Sequence, residues 1–151
     1  MNTDYRHLKI LSIDDDPGCQ DAITRFMSVI GGHSVDTAYT GNEGLRKADQ
    51  TRPDLILLDL VLPDMDGFHV LDRLTHSSRT RNIPVIMLTG ADLTQADKQN
   101  LALKPNFVRL EEKPCSFITL LGKINTIADA ASGDQNRRTT GDSEAGTTCA
   151  Y

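Results

Sequence analysis

Six residues carry the chemistry this sequence offers: Asp14, Asp15, Asp16, Asp59, Thr89 and Lys113. Each comes after the end of a short, largely apolar run: Leu8–Ile13, Leu55–Leu58, Ile83–Leu88 and Phe107–Glu112. Carboxylates gathered in one crevice repel one another, and that demands protonation or a counter-ion. Oxygen-only ligands favour Mg2+, which keeps several waters and takes one or two carboxylates plus phosphate oxygens. A lysine adds a mobile point charge, a threonine adds a hydroxyl, and an aspartate can be the nucleophile in phosphoryl transfer. Together they supply a nucleophile, a metal site, a cation and a hydroxyl for in-line transfer. Each alone has an ordinary explanation. Asp16-Pro17 reads as a helix N-cap with proline at the first helical position. A second Lys-Pro pair, Lys104-Pro105, reads as a turn, and a threonine after a strand is commonly a cap.

The elements that must bring these residues together alternate between strand and helix. A helix after Pro17 carries Ile23, Phe26, Met27 and Ile30 at helical spacing and ends at Gly31-Gly32. Ser34–Ala38 reads as a weaker second strand, and Gly41–Gln50 as a short helix with Leu45 and Ala48 inward. Leu55–Leu58 is apolar throughout, as in a central strand buried on both faces. A turn-rich loop from Pro63 to Gly67 leads to a helix carrying Phe68, Leu71 and Leu74. Ile83–Leu88 is a fourth strand, with Pro84 near its start. A polar helix runs from Thr94 to about Leu103, and Phe107–Glu112 is the fifth strand. The last helix runs from Cys115 to about Ala130, with Phe117, Leu120, Leu121, Ile124 and Ile127 inward. This alternation predicts an α/β fold: a doubly wound, five-stranded parallel sheet with helices on both faces. Its strand order is expected to be 2-1-3-4-5, flavodoxin-like, with ligands outside the carboxyl ends of the strands.

The chain has 151 residues, 38% hydrophobic and 25% charged, with a formal net charge of −5. That size suits one domain with a real core. The acidic balance and the lack of a basic run argue against nucleic-acid binding. The apolar stretches are strand-sized, so no membrane span is expected, and no secretory signal precedes the first strand. Cys19, Cys115 and Cys149 form no disulfide pattern, and reduced cytoplasmic thiols are the expectation. His69 and His76 lack the further ligands of a zinc site. Residues 131–151 contain no Ile, Leu, Val, Phe or Met. The division expected is a domain over 1–130 and a flexible polar tail over 131–151.

Four motifs resemble the receiver domain of two-component response regulators, the CheY-like family, over about residues 7–130. They are Ile13-Asp14-Asp15-Asp16-Pro17; the block from Pro53 to Gly67 that ends in Pro63-Asp64-Met65-Asp66-Gly67; Pro84 to Ala91; and Glu112-Lys113-Pro114. The second is the most specific, because it joins a buried strand, the acceptor and the turn. The resemblance implies that Asp59 accepts a phosphoryl group from a histidine kinase or histidine phosphotransfer protein. It implies that Asp15, Asp59 and the Val61 backbone carbonyl bind Mg2+, with Asp14 acting mainly through bound water. Thr89 and Lys113 would engage the phosphoryl group, and the Lys113–Pro114 peptide would be cis. The output would be contact with a downstream protein, without a DNA-binding domain. A homodimer through the face of the fourth helix, fifth strand and fifth helix is compatible with it.

Several positions depart from the family pattern. Leu110 stands at the output-face switch position, where an aromatic residue is common. Glu111 falls where an apolar strand residue is expected, so the strand is shifted or its face is acidic. Cys115 replaces a usual Phe, a volume that Phe117 could partly fill. The positions two beyond the acceptor and two beyond the threonine, which in the family help orient attacking water, are Val61 and Ala91. Slow self-dephosphorylation is the expectation. A phosphorelay receiver is a close alternative reading. A flavin-binding flavodoxin shares the fold, but its phosphate would be repelled by Asp14, Asp15 and Asp16. An aspartate-nucleophile phosphatase of the haloacid dehalogenase type needs a second acid at Val61, and none is there.

Overall fold

Hydrophobic parity along the strands builds a two-faced sheet. The computed structural model describes residues 6–131, so the tail expected over 131–151 lies almost wholly outside the described residues. Residues 7–117 form one unit and the described helical residues 118–131 belong to another. The elements are β1 (Lys9–Ile13), α1 (Pro17–Arg25), a π-helical turn (Phe26–Ile30), β2 (Ser34–Ala38), α2 (Gly41–Thr51) and β3 (Leu55–Asp59). They continue with α3 (Gly67–His76), β4 (Val85–Thr89), α4 (Gln95–Ala102) and β5 (Phe107–Glu112). A last helix, α5, covers residues 117–131, with Leu120, Ile124 and Ala128 as its buried positions. The sheet is parallel throughout, in the order β2-β1-β3-β4-β5, as the alternation predicts.

Leu11 and Ile13, Ile56 and Leu58, and Val85 and Met87 share one core with Ala48, Val70, Leu71, Leu74 and Leu101 of α2, α3 and α4. The alternate residues Ile10, Leu57 and Ile86 point to the other face and are equally buried, as are Ile23 and Met27 of the first helix. A central strand covered on both sides therefore reads as an unbroken apolar run. α4 contributes only Leu101 to the core and depends on its cap: Thr94 and Asp97 form a reciprocal capping box.

The first helix differs from expectation. Helical spacing places Ile30 inward, yet it is 65% exposed. The Gly31 N–H reaches back five residues to the Phe26 carbonyl, and the wider π turn rotates the end of the helix out of the buried stripe. β4 starts at Val85 rather than Ile83, because Pro84 has no N–H to give the ladder; its carbonyl accepts instead from Ile56 N–H.

β5 also departs from a regular strand. Val85 pairs with Phe107 and Ile86 with Arg109, which leaves Val108 as a bulged residue. The bulge resolves the question of Glu111: it pairs opposite Leu88, on an edge strand whose residues are exposed or half-buried. Its carboxylate lies 4.0 Å from Arg109. Leu110 is half-buried and packs against the core shared with α2, α3 and α4.

Gly67 fixes the path of the loop after β3. Its N–H donates to Leu60 O at 2.6 Å, and a Cβ there would lie 2.6 Å from Asp59 O and 2.8 Å from Leu60 Cα. Those contacts are backbone and cannot rotate away. We expect Gly67→Ala to lose about 3 kcal/mol of stability from this overpacking, read from urea unfolding midpoints; a loss under half that size would show that the loop yields freely.

Candidate functional site

Register sets the geometry of the site. Ile13 pairs with Leu58, Asp59 with Leu88, and Thr89 with Glu112. Neighbouring strand ends are therefore offset by no more than one residue, and the next residues emerge on one rim of the sheet. Asp14 is 1% exposed and Asp15 is exposed, while Asp59 closes β3. Carboxylate oxygens of Asp14, Asp15 and Asp59 all lie within 4.8 Å of one another. Three hard oxygen donors that close fit a small divalent cation.

Lys113 bridges two of them. Its Nζ donates to Asp14 Oδ2 at 2.6 Å and to Asp59 Oδ2 at 3.2 Å. Asp14 Oδ1 accepts from Asp16 N–H at 2.9 Å, and Asp59 Oδ1 meets Val61 N–H at 3.3 Å. Thr89 is buried, with Oγ1 accepting from Ala91 N–H at 3.0 Å, which leaves the hydroxyl hydrogen to donate elsewhere. Lys113 N–H donates to Thr89 O at 2.7 Å, and the Lys113–Pro114 peptide is cis.

The charges respond to this crowding. Burial pushes the Asp59 carboxyl up; the Lys113 charge pulls it down and the Asp14 charge pushes it up again, so it ends above its ordinary value. Burial would also raise Asp14, but hydrogen bonds from Lys113 and Asp16 outweigh it and Asp14 is held low. Burial alone would lower Lys113, yet the hydrogen bond to Asp14 and the two carboxylate charges leave it firmly protonated. The crevice thus holds one cation among three acids. It is electrostatically short of positive charge.

The loop beyond Asp59 is fastened at both ends. Asp66 caps α3 by accepting from His69 N–H. Asp64 accepts from Gly41 N–H at 2.7 Å and Asn42 N–H at 2.9 Å, capping α2 from the neighbouring loop. Asp16 has the capping role its place before Pro17 suggests, accepting from Gly18 and Cys19 N–H at the start of α1.

Two further residues join the site that motif and spacing do not single out. Cys19 shares a hydrogen bond with Asp14, and burial, then the Asp14 charge, push its thiol up to about 11. Gln20 is buried behind Asp14. Only its helical phase hints at this: Gln20, Ile23 and Met27 lie on one stripe. Beside Lys113, the volume near Cys115 remains open. A cavity of about 370 Å³ is lined by Cys19, Ile23, Leu88, Pro114, Cys115 and Phe117. Phe117 leans on Phe26, with ring centroids 5.7 Å apart.

A parallel sheet ending in this acidic crevice defines the receiver class of two-component signalling domains. Residues 10–125 match the response regulator receiver domain family, and the chain belongs to it. It is 37% identical to Protein PilH of Pseudomonas aeruginosa over 119 residues, covering 79% of this chain and 96% of PilH. It is 47% identical over 82 residues to the DNA-binding dual master transcriptional regulator RpaA of Synechocystis sp., covering 54% of this chain but 34% of RpaA. The chain thus spans about a third of that longer relative. Among solved structures, the CheY-like receiver domain protein from Methanospirillum hungatei JF-1 superposes with a TM-score of 0.76 at 27% identity, covering 85% of this chain and 99% of that one. Among the described residues, no helix is long and apolar enough to cross a membrane.

Proposed function

We propose that this receiver is a phosphorylation switch in which Asp59 takes a phosphoryl group from a phosphohistidine of a histidine kinase or phosphotransfer protein. The observation that carries the reading is the arrangement of Asp59 within reach of Asp14, Asp15 and the Lys113 ammonium. Asp59 Oδ2 is engaged by the charged Lys113 and Oδ1 only by the neutral Val61 N–H, so Oδ1 keeps the more available electron pair for attack. The Oδ1–P bond forms as the histidine N–P bond breaks, and the electron pair stays on the imidazole. Lys113 then pairs with the added negative charge, and the Thr89 hydroxyl donates to a phosphoryl oxygen. Asp14, Asp15, Asp59 and the Val61 carbonyl would hold Mg2+, which when bound neutralises charge on the carboxylate and phosphoryl oxygens. Output is contact with a downstream protein. A cytoplasmic setting suits such partners.

Incubation with Mg2+ and acetyl phosphate, followed by intact mass analysis, tests the reading. One phosphoryl addition is expected, absent when chelator replaces Mg2+; a chain that stays unmodified in both overturns it. Neither Val61 nor Ala91 carries a side-chain hydrogen-bonding group to hold an attacking water. The phosphorylated form should therefore decay slowly, and Val61→Gln should shorten its lifetime on the order of tenfold by orienting that water. Equal decay of both proteins would remove Val61 from the account.

A further inference from the structure

We infer that Gln20 is a positioning residue that holds the acidic loop in its cation-binding shape, an inference that rests on the proposed role of Asp14, Asp15 and Asp59. Gln20 is 1% exposed and lies one turn into α1. Its Nε2 lies within hydrogen-bonding distance of three backbone carbonyls, among which its two hydrogens are shared: Ser12 O at 2.9 Å, Asp14 O at 3.0 Å and Ala38 O at 3.0 Å. The first two flank the exit of β1 and the third is the last residue of β2. The Asp14 N–H also donates to Ala38 O, at 3.0 Å. One buried amide therefore ties together the Ser12–Ile13 and Asp14–Asp15 peptide units and the neighbouring strand end.

The direction of that amide is fixed by its surroundings. Reversing it would place Oε1 against three carbonyl oxygens with no hydrogen between them. Among the described residues Oε1 has no partner, so the side chain gives up an acceptor bond to keep both hydrogens on the loop. Three converging carbonyls would repel without that donor. They would relax by moving the main chain of Asp14, whose carboxylate must stay in register with Asp59 and Lys113. Asp14 Oδ2 already sits 2.6 Å from Lys113 Nζ, so a shift at Asp14 reaches the whole crevice. The Gln20 amide meets the main chain of Asp14 and not its carboxylate; it acts through the backbone that carries the candidate ligands.

The test compares Gln20→Met, which keeps the length and removes both donors, with Met27→Ala, which empties a buried site on the same stripe farther along the chain. Mg2+ dissociation constants come from calorimetry on the full chain, and hydrogen exchange reports on the Asp14 and Asp16 amides. We expect Gln20→Met to bind Mg2+ about tenfold more weakly, the scale of losing a partner that orients a metal ligand. Both amides should exchange faster. Met27→Ala should bind within about twofold of wild type even though it unfolds more easily. Should Gln20→Met not fold, Gln20→Asn withdraws the amide by one methylene and should weaken Mg2+ in the same direction. Wild-type affinity in the Gln20 variants, or an equal loss in Met27→Ala, overturns the inference and leaves the proposed function standing. A wild-type chain that takes up no Mg2+ overturns both.

Discussion

Asp59→Asn takes up no phosphoryl group from acetyl phosphate and Mg2+ under conditions that label the wild-type chain, and without metal it is the more stable of the two proteins. The first result comes from chemistry: an amide oxygen is a far poorer nucleophile than a carboxylate, and the neighbouring Asp14 carboxylate is engaged by Lys113 and the Asp16 N–H. The second comes from the crevice. Asp59 is held above its ordinary value of 3.8, by burial first and, against the pull of Lys113, by the Asp14 charge. A carboxyl whose folded pKa is raised contributes stability that is whole below its unfolded value and is lost as pH rises through the folded one. At neutral pH the wild-type protein has lost that contribution; the neutral Asn variant has nothing to lose. Asp14 has the opposite sign, since its pKa is lowered and its contribution disappears as pH falls through the lowered value. Urea unfolding in chelator at several pH values separates the two. Relative to the wild-type protein, the Asn variant should gain stability as pH rises from acid to neutral, because it lacks the contribution that Asp59 loses there. Labelling of Asp59→Asn, or parallel pH profiles for the two proteins, would show that another residue carries the chemistry.

Most of the site was legible because parallel sheets turn sequence position into spatial position. Once Leu8–Ile13, Leu55–Leu58, Ile83–Leu88 and Phe107–Glu112 are read as strands, the residue after each has to emerge on the same rim, and register then sets Asp14, Asp59, Thr89 and Lys113 within one residue's step of their neighbours. Two kinds of feature were not legible. The π turn at Phe26–Ile30 and the bulge at Val108 are backbone events that change phase without a Gly or Pro to announce them. Both shift which side chains face out. Cys19 and Gln20 are hidden because they serve the acids from behind, and a polar residue in a helix reads first as solvent-facing. Gln20 breaks that rule: it shares the stripe of Ile23 and Met27, and a buried polar group needs partners worth its desolvation.

Lys113 allows the sharpest separation of stability from metal binding. Its Nζ lies between Asp14 Oδ2 and Asp59 Oδ2, with Asp14 almost fully buried. Lys113→Met keeps much of the stem and removes the charge, leaving a buried carboxylate uncompensated. Breaking such a pair costs about 3 kcal/mol, so the variant should unfold at markedly lower urea in chelator. The same deletion removes a competitor for the carboxylates. Mg2+ should bind the variant about tenfold more tightly, since the crevice now has three acids and no cation of its own. Metal binding to the folded state stabilises it in proportion to the logarithm of metal concentration over dissociation constant. Added Mg2+ should therefore close the stability gap that chelator opens. Phosphoryl uptake should still be impaired in the variant, because Mg2+ would not replace the ammonium that, in the proposed function, pairs with the new phosphoryl charge. If Mg2+ affinity instead falls along with stability, Lys113 holds the shape of the crevice, and its ammonium is not a placeholder for the metal.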